Sequence, residues 1–305
     1  MDNVEKVIVG KRDVIRMMLV SILCEGHVLF EDVPGVAKTM LARSMSKSIG
    51  LSFARVQGTP DLLPSDITGV SVFNQKTTEF EFVKGPVFNH IVLADEINRA
   101  TPRAQAALLE AMAERQVSVD GNTYTLNAPF IVMATQNPIE HEGTFPLPEA
   151  QLDRFLMKLS VGYPSFSDEN TMLERLRLHH PIEDTEQVAD ASEMIAANRV
   201  VRDVYVHEKV REYIVRVVHA TRRSTDLSMG GSPRASIALY RTAQALAAIE
   251  GRTYVIPDDV KDVAQPVLAH RVIVNPESRL RGRKGNEVIQ GVIDAVPAPV
   301  EKETK

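Results

Sequence analysis

The stretch Asp32-Val33-Pro34-Gly35-Val36-Ala37-Lys38-Thr39 follows an apolar run, His27-Val28-Leu29-Phe30, and precedes a helical pattern from Thr39 to Ile49. Strand, tight loop, Lys-Thr and helix make the layout of a phosphate-binding loop. The first N–H groups of a helix have no partner within it and lie at the positive end of its dipole, so they suit a triphosphate. In this reading Pro34, Gly35, Val36, Ala37 and Met40 line the nucleotide. Lys38 reaches its β- and γ-phosphates, and Thr39 sets its hydroxyl on Mg²⁺. The fit to G-x-x-x-x-G-K-[ST] is incomplete, because Asp32 and Ala37 stand where glycine is usual. The methyl of Ala37 lies where backbone must approach phosphate, which predicts reduced affinity. Taken alone, the loop leaves open an ordinary strand-to-helix turn with Lys38 as a surface charge.

Composition sets the frame for this loop. The chain has 305 residues, 44% hydrophobic and 25% charged, with a net charge of −5. That suits one large domain or two modest ones with a sizeable core. It gives no global attraction to nucleic acid or anionic membranes. No apolar run is long enough to span a bilayer, and Met1-Asp2-Asn3-Val4-Glu5 lacks the basic and apolar regions of a signal peptide. Cys24 is the single cysteine, so no internal disulfide forms; in its apolar, helix-like surroundings it reads as a buried structural thiol. A reducing cytoplasm is the expected compartment. The eight histidines suggest no metal site: His141-Glu142 lacks the second histidine of a zinc-protease helix, and His179-His180 precedes a proline.

Apolar runs at Val28–Phe30, Ser52–Gln57, Ile91–Ala94, Phe130–Thr135 and Leu156–Val161 alternate with helical segments. Continuous apolar strands between helices predict an α/β fold, a parallel sheet covered on both faces. Thr101-Pro102 predicts a helix start, with Leu108, Leu109 and Met112 on one face. Two hairpins interrupt the alternation. Asp120-Gly121 between two short β-rich runs marks one; Val70–Phe73 and Phe80–Val83 around a polar loop mark the other. Phe73, Phe80 and Phe82 either staple that hairpin to the core or meet another protein. Acidic Glu183–Glu186 reads as a linker. Beyond it Ala189–Arg199, Glu208–Ala220, Pro233–Ile249 and Pro257–Ala269 read as helices. The expected division is an α/β core over 1–185, a helical domain over 186–297 and a flexible tail over 298–305. The loop carrying Arg279, Arg281, Arg283 and Lys284 is the densest basic patch, either solvated or meeting an acidic partner.

Two further strands end in polar residues. Ile91-Val92-Leu93-Ala94 runs into Asp95-Glu96, and Phe130–Thr135 runs into Gln136-Asn137-Pro138. Ligands of open α/β sheets bind at the carboxyl ends of strands. There Asp95 can hold Mg²⁺ and Glu96 can polarise an attacking water. The amide of Asn137 can donate to a γ-phosphate; a turn residue before proline is its alternative.

These motifs, in this order, resemble the AAA+ ATPases. Three longer strings, Thr59-Pro60-Asp61-Leu62-Leu63-Pro64-Ser65-Asp66-Ile67-Thr68-Gly69, Asp95-Glu96-Ile97-Asn98-Arg99-Ala100 and Leu147-Pro148-Glu149-Ala150-Gln151-Leu152-Asp153-Arg154-Phe155, are similar to the MoxR family. The resemblance covers nearly the whole chain. It implies an AAA+ core with a helical lid, ATP and Mg²⁺ as ligands, and a homo-oligomeric ring, six being the expected number. It also implies chaperone-like work on a client protein, often with a von Willebrand A domain partner. By resemblance Lys38 and Thr39 take nucleotide and Mg²⁺, Asp95 takes Mg²⁺, Glu96 activates water and Asn137 is sensor 1. Arg154 is an arginine finger for the neighbouring subunit, Arg234 is sensor 2, and Val9 and Gly10 lie at the adenine. Arg234 follows Ser232-Pro233 in a helix's first turn, where a cation opposes the dipole and an anionic ligand would explain it. Arg103 repeats that placement and is a candidate intersubunit contact. A magnesium-chelatase-like motor and a nucleotide-sensing scaffold with little turnover are the rival readings. A nucleic-acid motor fits the acidic balance poorly.

Overall fold

Val28–Phe30, Ile91–Ala94 and Ile131–Thr135 are buried without interruption, which requires cover on both faces of a sheet. The computed structural model describes residues 1–138, 143–176 and 181–299. Its first strands are β1 (Val28–Glu31), β2 (Phe53–Gln57), β3 (Gly69–Asn74), β4 (Glu79–Lys84), β5 (Ile91–Asp95), β6 (Gln116–Val119), β7 (Asn122–Thr125), β8 (Ile131–Gln136) and β9 (Met157–Leu159). Five of them form one sheet in the order β2-β5-β8-β1-β9. The first four in that order run parallel. The register sets Gln57 beside Asp95 and Glu31 beside Gln136. The last residues of β1, β5 and β8 are all half-exposed, whereas those before them are buried. A polar row therefore emerges along the carboxyl edge of an otherwise apolar sheet, and the loop after β1 opens onto it.

Helices α1 (Arg12–Leu23), α2 (Lys38–Ser48) and α3 (Pro102–Glu114) supply much of the cover. Thr101 caps α3 by accepting from Ala104 N–H at 3.4 Å, and Pro102 occupies its first turn. Ala104, Leu108, Leu109, Ala111 and Met112 then form one core with Val92, Ala94, Val132 and Ala134. Both expected hairpins are present as the antiparallel pairs β3–β4 and β6–β7. Asp120 and Gly121 both have positive φ (52° and 78°), as a two-residue primed turn demands. The first hairpin's aromatics divide: Phe82 stacks on Tyr124 of the second hairpin at 4.3 Å, whereas Phe80 remains 73% exposed beside Phe73.

Contacts divide the chain into two compact units, Met1–Phe155 with Leu159–Ile195, and Leu156–Lys158 with Ala196–Lys305. The later part of the chain carries α4 (Ala191–Asp203), α5 (Glu208–Arg223), α6 (Pro233–Ile249), α7 (Pro257–Leu268) and α8 (Gly285–Ala295). A small antiparallel pair joins β10 (Leu227–Met229) to β11 (Ile273–Val274). Buried Tyr213, Ile214, Val217 and Val218 recur at helical spacing in α5, and Val260, Val263, Ala264 and Val267 do so in α7.

Several expectations need correction. The acidic run at 183–186 is not a free linker. Lys47 Nζ donates to the carbonyls of Ile182 (2.7 Å) and Glu183 (3.0 Å), and Val188 N–H donates to Ser48 O at 2.7 Å. Of the orphan carbonyls at the end of α2, the segment satisfies that of Ser48. Cys24 is half-buried rather than buried, because it occupies the C-cap of α1. The basic patch is not one loop. Arg279 belongs to the short helix Pro276–Leu280, and Arg283 pairs with Asp226 at 2.6 Å. Ser232 holds the N-cap position of α6 without a side-chain capping bond. His141, Glu142, His179, His180 and residues 300–305 lie outside the described residues. No helix among the described residues is long and apolar enough to cross a membrane.

His27, just before β1, is buried in this core. Its Nδ1 accepts from Val132 N–H (3.0 Å) and its Nε2 donates to Met112 O (3.1 Å), tying β8 to α3 through the neutral ring. Burial pushes its pKa from 6.5 down to about 4. The unfolded chain therefore takes up this proton first, and the stabilisation, complete above about pH 6.5, is lost as pH falls toward 4. Urea unfolding should show this one group removing on the order of 3 kcal/mol between pH 7 and 4. His27→Gln, which retains a donor and an acceptor, should flatten the slope; an unchanged slope refutes the assignment.

Candidate functional site

The site is built where β1 gives way to α2. Ala37 takes the N-cap of α2 in the left-handed region, φ 61° and ψ 22°, a conformation that penalises a non-glycine residue by roughly 1–2 kcal/mol. Asp32 explains why glycine is absent at the other end of the loop. It is buried, and its Oδ2 accepts from the N–H groups of Val161 and Gly162, anchoring the loop to the segment after β9. Glycine has no side chain with which to do this. Lys38 Nζ donates to Val33 O at 2.9 Å and to Asp32 O at 3.2 Å. Burial lowers the Lys38 pKa, and the carboxylates of Asp32, Asp95 and Glu96 oppose that shift.

A cavity of ≈ 280 Å³ lies against this loop. It is lined by residues 34–40, by Asp95 and Glu96 from the end of β5, and by Thr135, Gln136 and Asn137 from the end of β8. Three segments distant in sequence thus meet at one carboxyl edge. A larger groove of ≈ 690 Å³ between α5 and α8 lacks this combination, so chemistry rather than volume singles out the site.

The two acids are held differently. Asp95 Oδ1 accepts from the Thr135 hydroxyl (2.7 Å), while Oδ2 accepts from Arg55 Nε (3.1 Å) and Nη2 (2.7 Å). Glu96 Oε2 accepts from Gln57 Nε2 and Arg99 Nη1, both at 3.0 Å. Glu96 itself sits in the left-handed region (φ 53°), and its N–H donates to Thr135 Oγ1 at 2.8 Å. Thr135 therefore bridges both acids with one hydroxyl. Gly58 presses on the same backbone: its N–H donates to Asp95 O (2.7 Å), and a Cβ there would fall 2.1 Å from Glu96 O. Buried Gln105 donates to the carbonyls of Ile97 and Ala100, pinning the loop that follows. A strained non-glycine residue held by so many contacts is a mark of functional sites.

Not every candidate joins the cavity lining. Val9 is half-buried, and Gly10 (φ 69°) has its α-carbon turned toward the Asp168 carboxylate; neither lines the cavity. Arg154 is exposed, and its Nη1 donates to Leu109 O, again outside the lining. Arg103 is exposed in the first turn of α3. Arg234 belongs to the later unit, in the first turn of α6, where its carbonyl accepts from Arg271 Nη1 at 3.5 Å. Arg55, Gln57, Gly58, Gln105 and Thr135 escaped the reading of the sequence. The available signal was polar residues at i and i+2 in a β-rich run, Arg55 and Gln57, which share one face of a strand.

The donor set fits a nucleotide-borne metal. Thr39 and Asp95 both line the cavity, and magnesium is usually held by one or two carboxylates together with phosphate oxygens. No cluster of three or more His, Cys, Asp or Glu residues suited to a metal occurs among the described residues.

Comparison with known proteins points the same way. Residues 27–157 match the family model of the ATPases associated with various cellular activities (AAA), and 219–292 match the AAA lid domain. The uncharacterized protein YeaC of Bacillus subtilis is 51% identical over 99% of this chain and 94% of its own. Chaperone MoxR1 of Mycobacterium tuberculosis is 43% identical over 97% of this chain and 81% of its own. A crystal structure from Cytophaga hutchinsonii, described as that of a candidate ATPase, superposes with a TM-score of 0.92 at 39% identity, covering 98% of this chain and 93% of its own.

Two substitutions test the construction of the site. Asp32→Ala leaves two N–H groups without their acceptor and should lower unfolding free energy in urea by about 1–3 kcal/mol. Gly58→Ala cannot be accommodated without moving Asp95 and Glu96. It should weaken binding of a fluorescent nucleotide at least several-fold while far-UV circular dichroism stays unchanged.

Proposed function

The chain belongs to the MoxR family of AAA+ ATPases, and on that premise we propose that it hydrolyses Mg-ATP within a ring of its own copies, six being the expected number. The work of the cycle is the remodelling or maturation of a client protein, in concert with a von Willebrand A domain partner. The observation that carries this reading is the single cavity that gathers Lys38, Thr39, Asp95, Glu96 and Asn137 from three separate segments.

In this mechanism the first N–H groups of α2 and the Lys38 ammonium take the phosphates. Thr39 and Asp95 would hold the metal, whose charge would offset that developing on the phosphate oxygens. Glu96 accepts a hydrogen bond from the attacking water, orients it in line with the bond to be broken and drains its proton as the oxygen bonds to the γ-phosphorus. The bond from that phosphorus to the bridging oxygen breaks, and ADP leaves. The Asn137 amide steadies the γ-phosphate. Arg154, exposed and outside its own protomer's cavity lining, serves the ATP of an adjacent protomer. Arg234 senses the nucleotide from the helical lid, and Val9 and Gly10 border the adenine. A chelatase-like role has less support: a magnesium-chelatase subunit homologue of Methanocaldococcus jannaschii is 28% identical over 75% of this chain.

Glu96→Gln should bind ATP with near-normal affinity and hydrolyse it about 10²–10⁴-fold more slowly. Full turnover by that variant, measured as phosphate release, removes Glu96 from the mechanism. The finger is tested by mixing. Lys38→Ala and Arg154→Ala should each be inactive alone, and mixed rings should recover activity because one variant supplies the arginine and the other an intact phosphate loop. Failure to recover, with both variants still assembling, argues against a finger acting between protomers. Specific activity that does not rise with protein concentration favours the low-turnover scaffold.

A further inference from the structure

Asp95 has a cationic partner that a phosphate loop does not require. Arg55 lies on the edge strand β2 and places both Nε (3.1 Å) and Nη2 (2.7 Å) on Asp95 Oδ2. The other oxygen, Oδ1, is satisfied by the Thr135 hydroxyl at 2.7 Å. The guanidinium is steadied along its own strand, since Nη2 also donates to Gln57 Oε1 at 2.5 Å. Exposure is unequal: the Asp95 side chain is 13% exposed and that of Arg55 49%. A withdrawn carboxylate is thus compensated by a cation whose far side is open to water.

We propose that Arg55 is an internal counter-ion that competes with the divalent cation for Asp95 and so sets the free Mg²⁺ concentration at which the site loads. The proposal rests on the reading of Asp95 as a metal-holding residue. A guanidinium and a divalent cation drawn to the same carboxylate oxygen repel one another at contact distance, so the approach of one favours withdrawal of the other. Thr135 acts on the opposite oxygen and is compatible with either cation. Release of Arg55 is easy, because a half-exposed ion pair contributes little and its guanidinium can turn into water. The arginine therefore tunes loading without blocking it, and it keeps Asp95 oriented and compensated between metals.

The test titrates Mg²⁺ into the full-length protein with a fluorescent ATP analogue, mant-ATP, and reads the half-saturating metal concentration by fluorescence. Arg55→Gln should lower that midpoint about two- to five-fold, the size a half-exposed pair supports. Arg55→Lys should fall between the two, because an ammonium keeps the charge but not the planar fork. An unchanged or raised midpoint in Arg55→Gln overturns the proposal, as does a change in melting temperature with no change in midpoint. Should the glutamine variant fail to fold, the lysine variant decides by the same sign. Asp95→Asn separates the underlying reading. A midpoint that this variant leaves untouched removes Asp95 as the metal holder. One that it raises, with Arg55→Gln still without effect, rejects the counter-ion alone.

Discussion

Burial of the parallel sheet on both faces is the constraint on which the rest of the molecule depends. A strand covered on both sides tolerates polar side chains only where it leaves the core. In β1, β5 and β8 that point is the last residue, Glu31, Asp95 and Gln136 in turn. Parallel running places all three ends on one edge, and the register aligns them. The chemistry of the site is thus a consequence of the solubility of the sheet: the same exclusion that keeps charge out of the core concentrates it along one rim.

Once gathered there, the acids must be held apart and oriented. The hydroxyl of Thr135 links Asp95 to the Glu96 backbone, and Arg55, Gln57 and Arg99 divide the carboxylate oxygens among them. Gly58 permits the close approach that holds Glu96 in a left-handed conformation. The phosphate loop is braced by a comparable device, since Asp32 spends its carboxylate on the backbone after β9. The braces differ in setting: Thr135 and Asp32 are buried, whereas Arg55, Gln57 and Arg99 are exposed.

The departures of this loop from the usual glycine pattern take on physical meaning in this setting. From the string alone, Asp32 and Ala37 look like two weaknesses of the same kind. In the folded chain they differ. Asp32 contributes an anchor that glycine lacks, whereas Ala37 accepts a strained conformation at the helix start. The hairpin aromatics divide likewise: Phe82 is committed to Tyr124, and Phe73 and Phe80 stay exposed.

What the amino-acid sequence determined by itself is local. The run of buried strands, the Asp120-Gly121 turn, the Thr101-Pro102 helix start and the Lys-Thr at the head of α2 are all legible, because each depends on residues within a few positions of one another. Lys38, Thr39, Asp95, Glu96 and Asn137 could be picked out for the same reason, each standing where a strand or loop ends. Only the tertiary structure decided that Arg55 meets Asp95, that Gln57 meets Glu96, that Thr135 bridges the two acids and that the segment 182–189 docks on the end of α2. Those pairings span roughly 40 residues or more, as the separation of Arg55 from Asp95 illustrates. They arise from strand order and register, which no local pattern encodes, because a parallel sheet brings together segments whose spacing in the chain says nothing of their spacing in space.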